Sequence, residues 1–154
     1  MAVKVKEVKL WRREVDNTPG MLAGTLEPFA KAGTDLQVLM GYRYPGDASK
    51  AAIEMYPVAG KKSLAAAKAA GLGASSLPAL LVEGDNKPGV AYAIAKAISG
   101  AGLNMSFVVA QVIGRKYSAI FGFESEADTS KAASLIKKAV AARKKVVRRA
   151  RREN

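Results

Sequence analysis

The sequence predicts an α+β protein built from two similar halves, each running β-α-β-β-α with room for a fourth strand. Three observations predict it. Asp16-Asn17-Thr18-Pro19-Gly20 returns 69 positions later as Asp85-Asn86-Lys87-Pro88-Gly89. Ala32-Gly33 returns as Ala101-Gly102 at the same offset. Each Ala-Gly pair is followed by a run of strand formers. One offset kept across two separated motifs points to a duplicated unit of about half the chain. In a chain of 154 residues, such halves are marginally stable alone and gain by packing on each other.

The elements follow in order. Residues 3–15 read as one strand, with Val3, Val5, Val8 and Leu10 set among charged residues and a phase slip around Glu7 that marks a bulge. The stretch from Asp16 to Gly20 is turn chemistry that suits a helix start. Asn17 can cap or form an Asx-turn, and Pro19 has the φ preferred in a first helical turn. Leu22, Leu26 and Phe29 then share one helical face, and Gly33 stops the helix. Pro28 lies deep in this helix and predicts a distortion, because it removes a donor and crowds the preceding turn. The second half has Ala97 at that place.

Residues 35–42 form a strand, Tyr44-Pro45-Gly46-Asp47 a turn, and residues 51–58 a strand. Residues 61–70 are alanine-rich and helical, stopped by Gly71 and Gly73. Residues 72–78 can supply the fourth strand. The second half repeats the plan: a strand over 77–83, a helix with Val90, Ala91, Ile94 and Ile98 inward, a hairpin of 105–113 and 117–123 around Gly114-Arg115, and a helix from about Asp128-Thr129. A fourth strand here has only Val146-Val147 to begin it. The plan is the split βαβ, ferredoxin-like arrangement, an antiparallel sheet with two helices on one face. The expected boundaries are residues 1–72, residues 73–142, and a basic tail over 143–154.

Composition narrows the chemistry. There is no cysteine and no histidine. That removes disulfides, thiolate nucleophiles, imidazole bases and the common ligands of zinc or copper. The carboxylates follow no spacing rule, no nucleophile is paired with a base, and Gly71-Leu72-Gly73 lacks the Gly-Lys-Ser/Thr ending of a phosphate loop. No enzymatic activity, cofactor or metal is expected. The first ten residues have neither a signal nor a transit pattern, and no apolar run reaches about 18 residues, so a soluble, cytoplasmic protein off the membrane is expected.

The net charge of +12 is uneven. Arg143, Lys144, Lys145, Arg148, Arg149, Arg151 and Arg152 stand against one acid, Glu153, in the last twelve residues, half of the whole excess. Such a run can neutralise phosphates of RNA or DNA, or it can be the solvated end of a helix whose dipole favours cations. Ala133, Ile136, Val140 and Val147 suggest that helical spacing continues into it. The aromatic strand from Lys116 to Phe123 is only faintly like that of RNA-recognition modules. Phe121 and Phe123 share a strand face and read as core. Trp11, Tyr42 and Tyr44 read as packing or hairpin-tip residues.

The repeated Asp-Asn-x-Pro-Gly turn, the leucine-type helix after it, and the Ala-Gly that leads to a strand opening Thr34-Asp35-Leu36 or Leu103-Asn104-Met105 resemble the ACT domain, a small ligand-binding module of amino-acid-regulated enzymes. The two copies cover the chain to about residue 142. The resemblance implies a non-catalytic regulatory protein that binds an amino acid or similar small molecule between two such domains, whose sheets often join side by side. A homodimer is compatible with it. By resemblance Asp35 and Asn104 begin the second strand, where the family contacts its ligand.

The turn itself has the chemistry of a carboxylate site. A turn that feeds a helix start leaves backbone N–H groups at the positive end of the dipole. Gly20 and Gly89 lack a β-carbon, so a ligand or strand can come close to the main chain. Candidate ligand residues are Asn17, Pro19, Gly20, Met21, Leu22 and Asp35 in the first copy, and Asn86, Pro88, Gly89, Val90, Ala91 and Asn104 in the second. The same turn is also sound turn-and-cap chemistry without a ligand. Thr18 and Met21 against Lys87 and Val90 make the two loops different enough for one alone to bind.

Overall fold

The computed structural model describes residues 2–153, and its strands hydrogen-bond into two four-stranded antiparallel sheets. The first residues behave unlike the sequence expectation. Residues 3–15 are not one bulged strand. They divide into β1 (Lys4–Val8) and β2 (Trp11–Asp16), and the two strands join different sheets. The chain accordingly forms two compact units: Lys9–Ser76, and the residues up to Val8 together with those from Leu77 onward. In place of boundaries at residues 72 and 142, one unit is inserted into the other.

The inserted unit continues through α1 (Met21–Ala32), β3 (Val38–Tyr44), β4 (Asp47–Tyr56), α2 (Lys61–Ala69) and the short β5 (Gly73–Ala74), with sheet order β3-β4-β2-β5. Val15, Ile53 and Met55 from the sheet meet Phe29 of α1 and Ala66 and Ala67 of α2 in one core, with Trp11 packed at its side. Both helices thus cover one face. Gly33, at φ 70°, ends α1 in the left-handed conformation that favours glycine, and the N–H of Thr34 returns to the Phe29 carbonyl at 3.0 Å. Helix α1 runs unbroken through Pro28. The buried Thr25 hydroxyl donates to the Met21 carbonyl at 2.7 Å and accepts from Arg13 at 3.1 Å, so its polarity is satisfied.

The discontinuous unit holds β1, β6 (Ala79–Asp85), α3 (Val90–Gly100), β7 (Phe107–Ile113), β8 (Lys116–Gly122) and α4 (Glu126–Arg152), with sheet order β1-β6-β8-β7. Its fourth strand comes from the beginning of the chain: β1 lies antiparallel to β6, with Val5 opposite Val82. Val146-Val147 begins no strand, for the backbone there is helical. Leu80, Val82, Phe121 and Phe123 of the sheet side pack against Ile94 and Ile98 of α3 and Ala132 and Ile136 of α4. Burial of both phenylalanines fits the core reading.

The 27-residue α4 is capped by Ser125, whose hydroxyl accepts from the Asp128 N–H at 3.1 Å. Glu126 and Asp128 stand in its first turn and Arg149, Arg151 and Arg152 in its last, both favourable to the dipole. Residues 143–152 of the expected separate tail are therefore the end of this helix. No helix among the described residues is long and apolar enough to cross a membrane.

Candidate functional site

The duplicated turn is built alike in both units. Gly20 (φ 89°) and Gly89 (φ 84°) each occupy the position before the helix, and neither has a heavy atom within 4 Å of where a Cβ would stand. Glycine is needed for the left-handed backbone, not for a crowded approach. The helices begin at Met21 and Val90, so Pro19 and Pro88 precede the first helical turn, and neither helix has a side-chain cap. Asn17 instead donates from Nδ2 to the Ala48 carbonyl at 2.9 Å. The Val90 N–H is already engaged by the Lys87 carbonyl at 3.2 Å.

The turn is tied to the neighbouring hairpin by the same pair of bonds in each copy. The Asn17 N–H donates to Ser49 O and the Asn86 N–H to Arg115 O, both at 2.8 Å. Lys50 binds the Asp16 carboxylate at 2.7 Å, and Lys116 binds that of Asp85. The lysine hydrogen bonds hold both aspartates below the usual carboxylate range. Lowered native pKa values stabilise the fold above the unfolded value of about 3.9, and that stabilisation disappears as acid protonates the pairs. The melting temperature should therefore hold level from pH 7 to about 5 and fall below about 4. A melting series for Asp16→Asn/Asp85→Asn should show a shallower acid limb. An unchanged limb would mean that the pairs contribute nothing.

Beside each turn lies a cleft between the helix N-terminal half and the edge of the sheet. In the inserted unit it measures about 270 Å³ and is lined by Asn17, Met21, Leu22, Gly41, Tyr42, Arg43 and Ala51 among others. In the discontinuous unit it measures about 380 Å³, with Asn86, Val90, Ala91, Ala110, Gln111, Val112 and Tyr117 at the matching places and Ile94, Met105 and Val108 beyond them. The second cleft is the more apolar, with Val112 in place of Arg43, and the roomier, with Ala91 in place of Leu22.

One exchange sets the second cleft apart. Val15 faces Ala51 across β2 and β4, whereas Gly84 faces Tyr117 across β6 and β8. The bulk moves from one strand to the other, and a hydroxyl arrives with it. Tyr117 is 7% exposed and its hydroxyl has no hydrogen-bond partner among the described residues. Burial, and then the nearby Asp85 carboxylate, push the phenol above its ordinary pKa, so it keeps its proton at neutral pH. A buried hydroxyl left unmatched is costly, and this one stands over Gly84, 2.7 Å from where a Cβ there would be.

The sequence candidates distribute unevenly over these clefts. Asn17, Met21 and Leu22 line the first, and Asn86, Val90 and Ala91 the second. Pro19, Gly20 and Gly89 shape the turns without lining either. Pro88 lines a separate cleft with Lys87. Asp35 and Asn104 are exposed, three residues before β3 and β7, and lie outside the lining of both clefts. Tyr117 was not singled out by sequence. Its signal was the alignment of Lys116-Tyr117 with Lys50-Ala51 against the preceding aspartates. Among the described residues no group of histidine, cysteine and acidic side chains is placed to hold a metal.

The fold has solved counterparts. A protein of Bacteroides thetaiotaomicron superposes with a TM-score of 0.69 at 14% identity, over 84% of this chain and 88% of that one. The regulatory subunit of aspartate kinase from Thermus thermophilus, in a ligand-free form, gives 0.60 at 15% identity over 90% and 97%. E. coli aspartokinase III in complex with lysine and aspartate gives 0.53 at 7% identity, over 92% of this chain and 32% of that one. No family model and no curated protein matches the sequence. At these identities the likeness is one of fold: two ferredoxin-like, ACT-like units in an α+β chain.

Proposed function

We propose that this protein is a non-catalytic regulatory module that binds an amino acid with an apolar side chain in the cleft of the discontinuous unit. The observation that carries this reading is the cleft itself, a largely apolar concavity of about 380 Å³ beside the duplicated turn with Asn86, Gln111 and Tyr117 among its lining residues. The apolar wall takes the side chain, while Tyr117, Asn86 and Gln111 supply the few polar contacts that fix orientation. The fold shared with a regulatory subunit of aspartate kinase, and with part of an aspartokinase solved in complex with lysine and aspartate, supports the ligand class.

The cleft of the inserted unit, smaller and without such a hydroxyl, is left empty in this reading. The edge strand β7 exposes Val108, Val109, Val112 and Ile113, and a second copy of the chain is the proposed cover for that edge. The ligand favours the arrangement that it fits best and shifts a population already present.

A thermal-shift screen against the twenty amino acids at millimolar concentration tests the reading. At one hundred times its dissociation constant a ligand adds about 2.7 kcal/mol, which moves the midpoint by roughly 5–10 °C at this chain length. One apolar amino acid should stand clear, and Tyr117→Phe should lose most of its shift while remaining folded. A flat panel would return the clefts to a purely structural role.

A further inference from the structure

Helix α4 is the longest element of its unit, at 27 residues. Val140 is the last buried residue among the described side chains of this helix, which runs on to Arg152, about 18 Å further at 1.5 Å per residue. Its counterpart α2 spans only nine residues. Positions 140, 143, 144, 148 and 151 recur at spacings of three and four, on one helical face. That face looks onto the second turn, and the Arg143 guanidinium donates to the Pro88 carbonyl. Between helix and turn lies a cleft of about 610 Å³ lined by Lys87, Arg143, Lys144, Arg148 and Arg151, with Pro88, Val90 and Val140 as apolar surface. Asp85, the one carboxylate in the lining, is bound by Lys116.

We propose that this cleft is a binding site for an organic phosphate, with the phosphates held by the arginines and lysines of its rim and an apolar or planar group on Val90 and Val140. The volume is that of a small-molecule site. Guanidinium groups match phosphate oxygens in pairs, and an anion relieves the repulsion of like charges on one helix face. Cations with an apolar floor in one concavity suit a compact amphipathic anion better than a long polymer. The site is separate from the amino-acid cleft and stands or falls independently of it. Val90 lines both, so an occupant of either shares a wall with the other.

The test measures binding of ATP, inorganic triphosphate and a single-stranded oligonucleotide by calorimetry or anisotropy, in the full chain and two double variants. Arg148→Glu/Arg151→Glu reverses two charges on the cleft. Arg149→Glu/Arg152→Glu makes the same charge change on other faces of the same helix. ATP affinity should fall about 100-fold in the first and no more than about threefold in the second, each charge-assisted contact being worth roughly tenfold. Should the charge reversals fray the helix end, both variants would suffer alike. Equal losses would therefore overturn the proposal, leaving a general attraction for polyanions in which the oligonucleotide binds best and with the steepest salt dependence. Absence of ATP binding would overturn it as well. Triphosphate should bind more weakly than ATP, and equal affinity would eliminate the apolar floor as a contact.

Discussion

Deleting residues 2–8 is expected to unfold the discontinuous unit while residues 9–76 keep their structure. Those residues contain β1, which covers the edge of β6 with a five-residue ladder. Val3 and Val5 pack against that unit's core and Val8 is buried. Loss of the valine burial and of the ladder's net hydrogen bonding amounts to at least about 4 kcal/mol. Whole domains are stable by only about 5–15 kcal/mol. The core of the inserted unit uses no residue of β1. Hydrogen exchange gives the readout: amides of Leu80 and Val82 should lose protection, and those of Ile53 and Met55 should retain it. Protection kept at Val82 would mean that β6 does not depend on β1.

Gly84→Val is expected to destabilise sharply, and to be rescued by a second substitution that is itself harmful. A Cβ at Gly84 would stand 2.7 Å from the Tyr117 hydroxyl and 2.9 Å from its ring. Overpacking of this kind costs about 1–3 kcal/mol or more. Tyr117→Ala alone opens a cavity and costs about 3–5 kcal/mol, by analogy with other aromatic truncations. Together the two changes recreate the Val15–Ala51 pair of the other unit. Their combined cost should fall short of the sum by about 1–3 kcal/mol in denaturant titrations, because they occupy one space. Simple additivity would show that the two units do not share a packing scheme at this rung. The double variant should also lose the ligand response, since the hydroxyl is gone.

The repeat made much of the fold legible. Asp16 and Asp85, Gly33 and Gly102, and the alternation around them placed the helices and hairpins to within a few residues. What escaped was the partner of β1. Val3, Val5 and Val8 announce a strand, but alternation reports only which face is buried, never which sheet receives it. The slip near Glu7 was read as a bulge, and two residues later the chain changes sheets. The basic end was set apart as residues 143–154, although its helical spacing was legible. Lysine, arginine and alanine are good helix formers, and the spacing of Ala133, Ile136 and Val140 carries on as α4 to Arg152. The turn motif pointed to the neighbourhood of both clefts. Tyr117 stayed hidden because its meaning lies in the glycine opposite, a cross-strand relation that no local pattern carries.

The inserted arrangement gives β1 a history during synthesis. Lys4 pairs with Glu83, and everything between them is made first. At about 5–20 residues per second, β1 waits roughly 4–15 s for β6 to emerge, while residues 9–76 can already fold. A waiting strand is a template for wrong partners. Lys4, Lys6 and Glu7, the residues that make this stretch an indifferent strand on paper, are charges of the kind that discourage such pairing. Charges of that kind count most in the interval before the native partner exists, when one edge of the strand is unclaimed.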